Sequence, residues 1–259
     1  MAQTTTPVSV TTWYEINTPD KTKALDFYKN VLGWTTSDMD MGEHGMYTML
    51  HSADGAFAGS MEMTGPEWEG IPAHWMIYFR TSNLGETMDK VKANGGEIVY
   101  DKFSIPGVGD MCVCKDDSGA VFSLHEPEPS QADSNPADGG VNWMEFVGKA
   151  PGQQNAEKFY SAVFGWEVRH QDMADGTYSM FFIGDMPVCG AMNLPPEVNA
   201  PAHWLVYLHT DNITEACANV AGQGGTVMNG PFPAGEYGMI AICQDPTGAV
   251  FGLHMPPSA

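Results

Sequence analysis

Basic residues are scarce in this 259-residue chain: 11 Lys and Arg stand against 32 Asp and Glu, a formal charge of −21 at pH 7. Phosphate backbones are bound by clustered Lys and Arg that displace counterions, so nucleic acid is excluded as a partner, and anionic membrane surfaces repel the chain. Long apolar runs are also missing. No stretch approaches the roughly 18–20 residues a membrane span requires. The N-terminus, Met1-Ala-Gln-Thr-Thr-Thr-Pro7, has neither the basic nor the apolar region of a signal peptide, so the expected location is cytoplasmic. Cysteine is sparse, with five at 112, 114, 189, 217 and 243 and no Cys-x-x-Cys pair, which argues against a disulfide framework or a zinc ribbon. Cys112, Cys114 and Cys243 lie in strand-like apolar runs and read as buried hydrophobes. The Gly-x-Ser-x-Gly elbow is absent, as is any phosphate-cradling glycine loop.

What the chain does contain is itself, twice. Residues 13–128 recur at 143–257. Trp13-Tyr-Glu15 matches Trp143-Met-Glu145, and Phe27-Tyr28 with Gly33-Trp34 matches Phe159-Tyr160 with Gly165-Trp166. Pro72-Ala-His74-Trp75 matches Pro201-Ala-His203-Trp204, Gly95-Gly96 matches Gly224-Gly225, and Gly119-Ala-Val-Phe122 matches Gly248-Ala-Val-Phe251. Units of about 120 residues are each long enough for their own core, unlike the short units of a solenoid. The expected boundaries are a first domain over 8–126, a Pro-rich polar linker over 127–140 and a second domain over 141–257.

Within a copy, Thr11–Asn17 alternates apolar and polar as a half-buried strand does, and Pro19-Asp20 ends it. Lys21–Leu32 carries apolar residues at helical spacing and closes on Gly33. Strands are expected at Tyr47–His51, Phe57–Met63 and His74–Phe79, a second helix at Leu84–Ala93, and strands near 96–103, 110–115 and 120–125. Each domain therefore reads as two βαβββ modules in an α+β fold.

This order of elements, with Phe-Tyr-x-x-Val-Leu-Gly-Trp, the helix ending in Gly-Gly and the Asp-x-x-Gly turn before the last strand, resembles the vicinal oxygen chelate superfamily of glyoxalase I, bleomycin resistance proteins and extradiol dioxygenases. The tandem copies with Trp-x-Glu and Pro-Ala-His-Trp are similar to a bacterial group that includes a mycobacterial secreted antigen and proteins described as hydroxylases. The resemblance implies a curved open sheet around a cavity in each domain, two domains that imitate a dimer, a small-molecule ligand, and often a divalent metal (Fe, Zn, Ni or Mn) held by strands of both modules. His74 and His203 fall at a usual ligand position. Trp13 and Trp143 occupy another, and Ser123 and Gly252 stand where a terminal glutamate is expected. An indole N–H offers no lone pair and glycine no side chain, so the cavities are expected to be metal-free.

By strand parity Glu15 and His125, two residues beyond Trp13 and Ser123, keep the cavity side, as do Glu145 and His254. Two readings follow. With His74, or His203, they form a 2-His-1-carboxylate metal set, though displaced by about 6–7 Å along their strands. Alternatively, Glu15 and His125 hydrogen-bond across the cavity floor. Trp13, Trp143, Met61, Met192 and Ser123 are candidate ligand contacts. Trp75 and Trp204 should face away, under the helices, with Trp34 and Trp166 in the core. His44, His51, His170 and His209 lack counterparts and read as surface or loop residues. Three functions stay open: glyoxalase-like proton abstraction by Glu15 or Glu145 next to a carbonyl, metal-free binding of a small molecule as in resistance proteins, and oxygenation at a 2-His-1-carboxylate iron.

Overall fold

The computed structural model describes residues 9–41, 45–131, 135–173 and 176–257. The first half runs β1 (Thr11–Thr18), α1 (Lys21–Leu32), β2 (Thr35–Asp40), β3 (Met46–Ser52), β4 (Gly55–Glu62), β5 (His74–Arg80), α2 (Leu84–Ala93), β6 (Glu97–Ile105), β7 (Gly109–Lys115) and β8 (Val121–Pro127). The second half repeats this order as β9 (Val141–Gly148), α3 (Gly152–Phe164), β10 (Glu167–Met173), β11 (Gly176–Ile183), β12 (Met186–Asn193), β13 (His203–His209), α4 (Ile213–Gly222), β14 (Thr226–Pro233), β15 (Met239–Gln244) and β16 (Val250–Met255). Two tandem glyoxalase-like domains result, each with one eight-stranded sheet. The orders are β2-β3-β4-β1-β5-β8-β7-β6 and β10-β11-β12-β9-β13-β16-β15-β14.

Local chemistry sets the element ends. The Asp20 carboxylate accepts the Lys23 N–H at 3.0 Å and starts α1, and Gly33, at φ 71°, ends it in the left-handed conformation that costs other residues a Cβ clash. Asn83 and Asn212 cap α2 and α4 in the same way. One strand escaped the sequence pattern: β2 is Thr-Thr-Ser-Asp-Met-Asp, exposed along its whole length, so it has no apolar alternation to read.

In both sheets β1 and β9 lie at the centre, flanked by a parallel and an antiparallel neighbour. Tyr14 and Ile16 point to the helix face. Residues 13, 15 and 17 take the opposite face, which carries the candidate site.

The helix faces of the two sheets meet. α1 packs on α4 and α2 on α3, and a single core draws Phe27, Tyr28, Phe79 and Phe122 from one half and Phe159, Tyr160, Trp204 and Phe251 from the other. Phe27 meets Phe251 with ring centroids 6.0 Å apart, and Phe79 meets Trp204 at 5.1 Å, both edge to face. Hydrogen bonds cross reciprocally. Tyr28 donates to Asp245 Oδ2 at 3.1 Å and accepts from Trp75 Nε1 at 2.9 Å; Tyr160 donates to Asp116 Oδ2 at 2.8 Å and accepts from Trp204 Nε1 at 2.8 Å. The Gly-Gly motif explains itself here, because a Cβ on Gly96 would stand 2.9 Å from Phe159, and one on Gly225 2.8 Å from Phe27. Trp34, Trp75, Trp166 and Trp204 are all buried in this core.

Between the halves, Pro127 closes β8 and 129–131 form a 3-10 turn; farther on, the Ala137 N–H bonds the Ala56 carbonyl at 3.0 Å. The linker is thus tied to the first sheet over part of its length. No helix among the described residues is long and apolar enough to cross a membrane.

Candidate functional site

Period-two alternation places Trp13, Glu15 and Asn17 of β1 beside Tyr78, Met76 and His74 of antiparallel β5. β4 sets Gly59 opposite Glu15 and Met61 opposite Asn17, and β8 sets Ser123 beside Tyr78. The second half places Trp143, Glu145 and Val147 beside Tyr207, Leu205 and His203, with Gly190, Met192 and Gly252 in the matching positions.

Each face is organised around its buried carboxylate. Glu15 accepts from the Tyr47 hydroxyl on Oε2 at 2.8 Å and from the Tyr78 hydroxyl on Oε1 at 3.0 Å, while the Trp13 indole N–H donates to the Tyr47 oxygen at 2.8 Å. In the second half Tyr207 donates to Glu145 Oε1 at 3.2 Å, Tyr178 also donates to that carboxylate, and Trp143 Nε1 donates to the Tyr178 oxygen at 2.8 Å. Burial pushes both carboxyls above their ordinary range, against the opposing pull of the phenol donors; Glu145 is pushed up to about 7. The four phenols are held well above their usual range by burial and by the adjacent carboxylate, so they remain donors.

The tyrosine pairs went unread in the sequence, although a signal for them exists. Tyr78 and Tyr207 follow the two histidines in the same His-Trp-x-x-Tyr run, and Tyr47 and Tyr178 share Gly-x-Tyr-[Thr/Ser]-Met. Gly59 and Gly190 complete the arrangement: a Cβ at either would overlap the Tyr47 or Tyr178 phenol. A glycine opposite each glutamate is what lets a phenol lie across the strand.

Among the described residues neither His74 nor His203 bonds a carboxylate directly, but in the first half the Asn17 side chain bonds both Glu15 and the His74 ring. His74 Nδ1 donates to the Pro72 carbonyl at 2.9 Å, leaving Nε2 to accept from the Asn17 amide at 3.4 Å; Asn17 Oδ1 is then buried without a partner. His203 Nδ1 likewise donates to the Pro201 carbonyl at 2.9 Å. Burial lowers the basicity of both rings, so both are neutral at pH 7. His125 does not bond to Glu15. Its Nδ1 meets the Thr12 hydroxyl at 2.8 Å and its Nε2 the Val108 carbonyl at 3.3 Å, since a register shift of β1 at Thr12 brings that hydroxyl to the end of β8. His254 is engaged similarly by Asn142 at 3.0 Å and the Tyr237 carbonyl at 2.6 Å. The expected hydrogen bond across the cavity floor is therefore replaced by a Glu–Tyr pair in each half.

Met61 stands 41% exposed at the rim, while Met192 is half-buried; Ser123 is buried against Tyr78, and its counterpart Gly252 leaves room for Tyr207. His51, His170 and His209 lie in strands rather than loops, bonded to Ser37, Glu157 and Asp211, and His44 falls outside the described residues. His209 shares Asn142 with His254 at the end of the second sheet.

These donors do not suit a divalent metal. Both oxygens of Glu15 accept from phenols, and each ring nitrogen of His125 and His254 is committed to a protein partner. Among the described residues no three His, Cys, Asp or Glu side chains group closely enough to hold an ion. The surface concavities around Lys149 and Asn199, and around Ser104 and Glu126, lie away from both carboxylates.

The Glyoxalase/Bleomycin resistance protein/Dioxygenase superfamily profile matches residues 11–124 and 150–253. The chain belongs to this superfamily. It is 30% identical over 247 residues to CFP32 of Mycobacterium tuberculosis, a protein bearing a glyoxylase name, covering 94% of both chains. It is 28% identical over 254 residues to the anthracycline biosynthesis protein DnrV of Streptomyces peucetius, covering 93% of this chain and 91% of that one. In fold it is similar to the 2,3-dioxygenase LapB from Pseudomonas sp. KL28 (TM-score 0.63, 14% identity, 98% and 94% covered) and to a catechol 2,3-dioxygenase (TM-score 0.60, 13% identity, 98% and 96% covered). Members of this superfamily bind small molecules, commonly with a divalent metal.

Proposed function

We propose that each outward sheet face holds a carbonyl-bearing small molecule and that the Glu–Tyr–Tyr cluster moves a proton on it, as glyoxalase-like chemistry requires, without drawing on a metal. The observation that carries this reading is the placement of Glu145: a buried carboxyl on the outward face, bonded by the Tyr178 and Tyr207 phenols and pushed by burial up to about 7, where a general base near neutrality operates. In the step, the carboxylate takes the proton from the carbon next to the carbonyl and the C–H electron pair moves into an enolate. Once protonated, the carboxyl no longer holds both phenol hydrogens, and one phenol, kept protonated by its raised pKa, turns its O–H to the enolate oxygen. Where the deprotonated carbon also bears a hydroxyl, as in a methylglyoxal–thiol adduct, the hydroxyl proton passes to the enolate oxygen as the carboxyl returns its proton to the former carbonyl carbon. The old hydroxyl carbon becomes the new carbonyl, which completes the isomerisation.

The test is turnover of a methylglyoxal–thiol adduct with and without chelator. Activity is expected to survive chelator, to rise with pH through about 7, and to fall at least tenfold in Glu15→Gln/Glu145→Gln. Full activity in that double variant would sink the assignment.

A second reading, binding without turnover as in resistance proteins, is favoured by the apolar cluster of the second face, where Val147, Leu205 and Tyr207 are buried with Trp143 and Met192 packed against them. Saturable binding of aromatic compounds with no turnover would establish it in place of the first.

A further inference from the structure

The two faces are an internal comparison, since one chain presents the same scaffold twice. The decisive exchange is Asn17 for Val147. Both positions pair in register with the histidine of the neighbouring strand, His74 and His203. In each copy a proline carbonyl can only accept, so it fixes the neutral ring as the Nδ1–H tautomer and leaves the Nε2 lone pair as an acceptor. The Asn17 amide fills that acceptor in the first copy. Val147 has nothing to donate, and the His203 Nε2 has no hydrogen-bond partner among the described residues.

The surroundings diverge in the same sense. His203 is half-buried and accessible, whereas the leftover acceptor of the first copy, Asn17 Oδ1, is shut beneath the sheet surface. Ser123 gives way to Gly252, whose missing Cβ leaves the space that the Tyr207 ring fills; Met111 and Val113 give way to Ile240 and Ile242, which join the apolar cluster of Val147, Leu205 and Tyr207. An accessible unpaired acceptor on an apolar wall calls for a ligand that is mostly apolar and carries one donor.

We infer that the second face is a binding site for a neutral, largely aromatic molecule bearing one hydroxyl or N–H donor, that His203 Nε2 accepts this donor, and that residue 147, valine against asparagine, determines the preference. The inference rests on the reading that these faces hold small molecules. It names the ligand class of one face and makes the two faces unequal.

The probes are 2-naphthol and 2-methoxynaphthalene, which share a ring system and differ in the donor. Calorimetric titration should show 2-naphthol binding about fivefold tighter, as one neutral hydrogen bond gives. Val147→Asn should bring the ratio close to one, and Asn17→Val should add a second hydroxyl-preferring site. In parallel, the Nε2 resonance of His203 in 15N-histidine-labelled wild type should move on adding 2-naphthol and stay put with the ether, a readout that does not depend on the variants folding. Binding of both probes with equal affinity, or a preference untouched in folded Val147→Asn, overturns this inference alone. Failure of both probes to bind likewise overturns it, while the reading on which it rests stands or falls with turnover of the methylglyoxal–thiol adduct.

Discussion

Replacing Glu145 by glutamine keeps the shape of the side chain and removes its titration. In the folded protein this carboxyl ionises at about 7, against 4.5 for an unperturbed glutamate, because burial penalises the charged form more than Tyr178 and Tyr207 relieve it. The sign follows from proton counting. Between these two values the unfolded chain has released the proton and the folded protein still holds it, so stability falls as pH rises through this window and levels off above about 7. At about 1.4 kcal/mol per pKa unit, the wild type should lose about 2–3 kcal/mol relative to Glu145→Gln between pH 5 and 8. His74 and His203, whose basicity burial lowers, contribute stability that fades as pH falls; they are common to both proteins and cancel in the difference. Urea unfolding at pH 5, 6, 7 and 8 reads the effect as midpoints that diverge with pH by about 1 M. The shared core of the two halves justifies treating the transition as one. Parallel midpoint curves across that range would refute the account of Glu145 as a buried carboxyl with a neutral-range titration.

Gly190→Ala should cost about 1–3 kcal/mol by expelling the Tyr178 phenol, and Tyr178→Ala in the same chain should recover part of that loss; equal stability of Gly190→Ala and wild type would discount the overlap. Tyr28→Phe and Tyr160→Phe should each lower unfolding free energy by about 1–3 kcal/mol, since each strands a buried indole N–H and a buried aspartate, and chemical denaturation decides it. Elemental analysis of protein purified without chelators should find well under one equivalent of Fe, Zn, Ni or Mn per domain; a stoichiometric metal that vanishes in Glu15→Ala and His125→Ala would contradict the donor geometry.

The repeat made the fold legible because duplication marks the positions the scaffold cannot vary. Gly33 and Gly165, Gly96 and Gly225, and the four tryptophans of the core are all constrained by backbone conformation or close packing, and all stood out in the sequence. β2 did not, since nothing along it is buried. At the site, parity placed Trp13, Glu15 and His74 on one face, yet it carries no information on which side chains touch. A carboxylate can choose among every donor within reach of a curved sheet. Tyr47 comes from a strand two places removed from β1, so its approach depends on sheet curvature and on the space over Gly59, neither of which spacing encodes. The bonding of His125 was equally hidden, because it depends on a single register shift at Thr12.

The reciprocal Tyr–Asp bonds between the halves bear on how such a molecule can change. In a pair of identical chains, every substitution at a two-fold contact is made twice, and a surface must remain complementary to itself. Joined in one polypeptide, the halves are held at a high effective concentration by the tie between them, and the tyrosine and the aspartate that meet belong to separately mutable copies. One half can then drift while the other conserves the original contacts. Asparagine at 17 and valine at 147 fit that release: the shared scaffold stays fixed by its crossed bonds, and the two outward faces behind it are free to differ.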